Sequence, residues 1–60
     1  MNKYKVKNFQ NEYPADLQME YKSWIESREK INVANISFWH DSRTHINFCT
    51  VTYTETDFNL

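Results

Sequence analysis

The apolar side chains of this sequence fall on more surfaces than one short core can cover, and no glycine interrupts them. Two tryptophans, four tyrosines and four phenylalanines are spread over 60 residues. Alternation within the candidate strands divides them. A helix claims Leu17, Tyr21, Trp24 and Ile25, while Val33, Trp39, Ile46 and Phe48 point away from it. One helix cannot cover both faces of a sheet, so the pattern implies association with something else.

Size sharpens that implication. A domain of this length buries only about 60% of the surface its unfolded chain exposes, and such a core rarely supplies more than ~3–5 kcal/mol. Disulfides, metals or partner subunits usually make up the difference. The single cysteine, Cys49, excludes an intramolecular disulfide, which leaves a partner subunit as the expected staple. A lone thiol fits a reducing compartment, so the expected location is the cytoplasm. The start, MNKYKVKNF, has no continuous apolar segment of the signal-peptide kind. No apolar run reaches the ~20 residues that a membrane helix needs. A net charge of −1 gives no broad attraction to nucleic acid, and neither nucleic acid nor a membrane is an expected partner.

Residues 3–9 (KYKVKNF) alternate and predict a first strand, with Tyr4 and Val6 on one face and Lys3, Lys5 and Lys7 on the other. Pro14 suits the first turn of a helix, where its missing N–H is no loss, and Asp16 suits the positive end of the helix dipole. The helix runs over 14–28, with Leu17, Tyr21, Trp24, Ile25 and the stem of Arg28 in one stripe. Met19 lies off the stripe. Residues 31–39 (INVANISFW) predict a second strand, with Ala34, Ile36 and Phe38 on one face and Val33, Asn35, Ser37 and Trp39 on the other. His40 to Arg43 reads as a polar turn and residues 44–55 as a third strand. On it, Cys49, Val51 and Tyr53 oppose Ile46, Phe48, Thr50 and Thr52. The expected fold is a single α+β domain over residues 1–60. It has β-α-β-β order, a three-stranded antiparallel sheet in the order 1-3-2, a helix on one face and a tail over 56–60. Parallel pairing of the first two strands is the alternative topology.

The segment from Lys5 to Ile25 reads K-V-K-x-F-x-x-E-x-x-x-D-L-x-x-x-x-x-x-W-I, carried by Lys5, Val6, Lys7, Phe9, Glu12, Asp16, Leu17, Trp24 and Ile25. It resembles the very short β-α-β-β sporulation-associated proteins of endospore-forming bacteria and their phage relatives. Val33, Ile36 and Phe38 stand where those proteins carry an apolar strand. The resemblance implies a fold and a bacterial or phage origin. It supplies no catalytic motif. The element order also resembles that of dodecin, whose subunits oligomerise and bind flavin through a strand tryptophan, a role that only Trp39 is placed to take.

The polar residues do not assemble into chemistry. His40-Asp41-Ser42 has the residue types of a hydrolase triad, but a triad converges on one pocket and consecutive turn residues diverge. His45 and Cys49, four apart on a strand, are separated by ~13 Å at ~3.3 Å per residue and cannot share a metal ion. His40 and His45 could meet across the hairpin as two ligands at most. Lys3, Lys5 and Lys7 read as protection of an edge strand. Glu12, Asp16, Glu20, Glu26 and Glu29 read as the wet face of the helix.

These readings predict a non-enzymatic, self-associating binding protein with no cofactor and no metal. The expected partners are itself, as a homodimer or larger homo-oligomer, and a host protein that it modulates or inhibits as a bacterial or phage accessory protein. The expected interface is Val33, Trp39, Ile46, Phe48 and Phe58, with Leu60 as further cover. The alternative is an oligomeric sponge or carrier for a nucleotide or flavin-like ligand, stacked on Trp39 and Phe48. A structural sporulation protein is a third class.

Overall fold

The computed structural model describes residues 3–55. Strand β1 (Lys5–Asn11) leads to helix α1 (Pro14–Ser27), followed by β2 (Ile31–Asp41) and β3 (Ile46–Glu55). The strands form one sheet in the order β1-β3-β2, and both pairings are antiparallel. This is the α+β arrangement that the sequence predicts, and the parallel alternative is excluded. Phe58 and Leu60 lie outside the described residues.

The core is small. Leu17, Cys49, Val51 and Tyr53 are its buried side chains, with Phe9, Tyr21, Trp24, Ile25, Ile31 and Ile36 packed around them. The helical stripe therefore meets the odd-numbered face of β3, as the alternation requires. Trp24 organises the contact. Its ring lies edge-on to Tyr53 (centroids 5.1 Å apart) and to Phe9 (5.8 Å), and the Arg28 guanidinium sits 5.3 Å from its centroid. Each such aromatic pair is worth about 0.5–1.5 kcal/mol beyond the area it buries, a large share for so small a core.

The helix starts on Pro14, with Tyr13 as an N-cap residue whose side chain makes no capping hydrogen bond. Asn11 sets up the entry: its Oδ1 accepts from the Tyr13 backbone N–H at 2.9 Å, and its Nδ2 donates to Glu20 at 2.6 Å. The helix ends at Ser27, with Arg28 as C-cap.

Two details of the strands decide which residues face the helix. Phe9 faces α1 opposite Cys49, which fixes the phase of β1. Lys5 and Lys7, opposite Tyr53 and Val51, therefore lie on the helix side, and Val6 opposite Thr52 lies on the helix-free side. The lysine stems run along the edge, with the Lys7 ammonium 5.6 Å from the Phe9 ring centroid and Lys5 paired with Glu55. Long stems can cover apolar surface while their charged heads stay in water.

The second detail is a register shift in β2 between Val33 and Asn35, which breaks simple alternation. It corrects the placement of Val33. Its pairing with Tyr53 puts it on the helix side, whereas Ile36 and Phe38 reach the same side by pairing with Val51 and Cys49. One extra residue, Ala34, reverses the parity, as a β-bulge does. The helix-free face accordingly carries Val6, Asn8 and Gln10 of β1, Asn32, Asn35, Ser37, Trp39 and Asp41 of β2, and Ile46, Phe48, Thr50, Thr52 and Thr54 of β3. It is mainly a hydroxyl and amide surface, with Trp39, Ile46 and Phe48 gathered at the hairpin end and Val6 standing apart opposite Thr52.

The turn also lies later than predicted. β2 continues through His40 and Asp41, and the loop is Ser42 to His45. The His45 N–H donates to the Asp41 carbonyl oxygen at 2.8 Å, and His45 closes the loop at φ 61°. With no glycine available, a histidine occupies this left-handed position, a residue type enriched there among non-glycines.

Candidate functional site

The hairpin end concentrates the exposed aromatic surface. Trp39 and Phe48 are opposite one another in the β2–β3 ladder, and their rings stack with centroids 4.4 Å apart and an interplanar angle of 12°. Trp39 is 57% exposed. On the helix side of the same strand, Phe38 meets Tyr21 edge-on at 5.5 Å and is 58% exposed. A cleft of about 490 Å³ at this end is lined by residues including Leu17, Tyr21, Phe38, Trp39, His40 and Phe48. A second depression, about 510 Å³, brings Asn8, Gln10 and Thr50 beside Trp39 and Phe48.

Of the predicted interface residues, Trp39, Ile46 and Phe48 share the helix-free face near the hairpin, and Val33 does not. Trp39 and Phe48 are together, as a stacking site requires. Their rings are already in contact, so a planar ligand has no slot between them and would have to lie on an outer ring face.

Asn47 is the residue that sequence reasoning missed. Its Nδ2 donates to the Glu12 carbonyl oxygen at 3.1 Å and to the Asn11 carbonyl oxygen at 3.4 Å. Those two acceptors leave Oδ1 as the acceptor toward His40 Nδ1, 2.9 Å away. The neutral His40 ring is thereby fixed with its proton on Nδ1. The signal in the sequence was parity: Asn47 shares the face of Cys49, Val51 and Tyr53, where a polar group needs partners.

The remaining polar groups take structural roles. His40 and Asp41 pair with Asn47 and Ile46 and so face opposite sides of the sheet, which excludes a triad with Ser42. The Arg43 N–H donates to Asp41 Oδ1 at 2.9 Å; this bond, with donors from Thr44, holds the Asp41 carboxyl below its ordinary value. The His40 and His45 rings lie 6.3 Å apart, but no group of three or more His, Cys, Asp or Glu converges among the described residues. Cys49 is fully buried, and burial pushes its thiol up from the ordinary value. Among the described residues, no helix is long and apolar enough to cross a membrane.

Searches against protein-family models, curated proteins and solved structures find no match to this chain.

Proposed function

We propose that this chain is a non-enzymatic binding protein that acts by direct contact with another protein through the Trp39–Phe48 pair. The observation that carries the reading is the exposed stack itself: two aromatic rings held flat against each other by the ladder, with much of the tryptophan left in water. Tryptophan and tyrosine dominate binding energy at protein interfaces when a partner desolvates them. Rings fixed before binding lose little freedom when they dock. The neighbouring Thr, Asn and Ser side chains suit a polar rim around such an anchor. The resemblance of the Lys5–Ile25 segment supports a bacterial or phage setting, in which the protein modulates or inhibits a cytoplasmic host protein.

The cleft beside Trp39 supports a second reading. Its volume of about 490 Å³ falls within the ~300–1,000 Å³ usual for small-molecule sites, so a nucleotide or flavin-like ligand stacked on the outer face of Trp39 is the alternative.

One experiment separates them. The tagged protein is used to capture partners from a bacterial lysate, and both proteins and small molecules are analysed by mass spectrometry. Trp39→Asp and Phe48→Asp are compared with Met19→Asp, a substitution on the exposed helix surface. The protein-binding reading expects a protein that is retained by Met19→Asp and lost from both aromatic variants. A small molecule with the same dependence supports the alternative. Identical capture by all variants overturns both.

A further inference from the structure

We infer that two copies of this chain join through their β2 edges, forming a continuous six-stranded antiparallel sheet. The inference is independent of what Trp39 and Phe48 bind, because it concerns the hydrogen-bonding edge of β2 rather than the helix-free face.

The sheet order leaves β1 and β2 as edges, and the two are built differently. β1 carries Lys5 and Lys7, with Lys3 just before it. Two β1 edges brought together would oppose like charges, and lysine is a usual means of blocking edge pairing. β2 is the longest strand, and from Ile31 to Trp39 it contains no Lys, Arg, Asp or Glu. An uncharged strand edge is self-complementary, because an antiparallel copy offers donors where the first offers acceptors. The bulge at Ala34 interrupts its early part, which leaves the stretch from Asn35 onward as the regular pairing surface.

The position of the helix favours the same partner. α1 packs chiefly on β1 and β3, so the helix side of β2 is only partly covered, with Phe38 58% and Val33 39% exposed. Antiparallel pairing of two β2 edges requires a two-fold axis perpendicular to the sheet. That axis keeps both helices on one face, with the two β2 strands forming the floor between them. Phe38 and Val33 of each copy then lie in a trough walled by both helices, next to Tyr21. The assembly closes at two copies, because both outer edges of the six-stranded sheet are the lysine-bearing β1.

The test is the association state of the full chain by sedimentation and light scattering from micromolar to millimolar concentration. Wild type is compared with Ser37→Lys, Asn35→Lys and Trp39→Asp, and amide NMR spectra establish that each variant is folded. The inference expects a wild-type dimer, loss of at least tenfold in dimer affinity for a folded edge variant, and a dimer that survives Trp39→Asp. Amides of β2 should also gain hydrogen-exchange protection as concentration rises. A wild type that stays monomeric throughout, or a dimer unaffected by the folded edge variants, overturns it. A dimer lost only in Trp39→Asp overturns it too, and assigns association to the helix-free face.

Discussion

Asn47 donates from its side-chain amide to the carbonyl oxygen of Glu12 at 3.1 Å, across 35 positions of sequence. The same side chain accepts from His40, so a single amide fastens the β1–α1 connection to the base of the hairpin. These are the two ends of the fold that border the Trp39 cleft. Asn47 also lines that cleft, so one side chain both joins its two borders and forms part of its wall.

Replacing Asn47 by Ala removes bonds to Glu12, Asn11 and His40. At about 0.5–1.5 kcal/mol net per hydrogen bond, and with the weak 3.4 Å contact to Asn11 left out of the sum, the other two bonds give an expected loss of roughly 1–3 kcal/mol by denaturant titration. The His40 ring offers an independent readout. In wild type, nitrogen-15 NMR of the neutral ring should report the proton on Nδ1, and in Asn47→Ala that preference should disappear. An unchanged tautomer would show that Asn47 does not orient the ring.

The N-terminus of α1 is open to improvement. Tyr13 has the extended backbone of an N-cap, φ −106° and ψ 121°, but contributes no side-chain capping bond and is 60% exposed. Tyr13→Asp supplies an acceptor for the orphan N–H groups and a charge favourable to the helix dipole. A gain of about 1 kcal/mol is expected, equivalent to a rise of about 4–8 °C in Tm for a domain of this size. A fall in Tm would show that the Tyr13 ring packs more usefully than its exposure indicates.

Acid should weaken the fold through two carboxylates. Lys5 donates a hydrogen bond to Glu55, and with its charge and that of Arg28 it holds Glu55 below the ordinary value; Asp41 is held down chiefly by the Arg43 N–H. A carboxyl depressed in the folded state contributes stability above its unfolded value, about 4, and loses it as pH falls through the folded value. Lys5 is raised by the same Glu55 partner, so its contribution is present below the ordinary lysine value and lost as pH rises through the folded one. All three groups are solvent-exposed, and screening keeps each effect small. The expected profile is a Tm that is level through neutrality and falls below about pH 4. Glu55→Gln and Asp41→Asn together should flatten that acid limb, and a limb unchanged in the double variant would remove these residues as its cause.

Some elements were legible because one rule governed them. Leu17, Tyr21, Trp24 and Ile25 repeat at helical spacing, and Cys49, Val51 and Tyr53 alternate, so the main contact of the fold could be written down from the sequence. β1 was harder. Tyr4 and Val6 look like a core face and the lysines like a wet one, yet a single ring, Phe9, sets the phase the other way. β2 was read correctly from Asn35 to Trp39 but misread at Val33, before Ala34, because alternation assumes one residue per step and the bulge spends two. The hairpin loop slipped for a related reason: His45 takes a left-handed conformation that its residue type announces only weakly. The stacking partners Trp39 and Phe48 were legible as candidates, but the amide that shapes the end of the sheet around them was not.

The bulge at Ala34 has a consequence for comparing this chain with others. Ile31 and Val33 keep the odd phase, while Ile36 and Phe38 keep the even one, yet all four belong to the same side of the sheet. A related chain lacking the extra residue would match this one only with a one-position gap at Ala34. An ungapped alignment would lay inward residues over outward ones along half of β2, and would score two equivalent strands as unrelated.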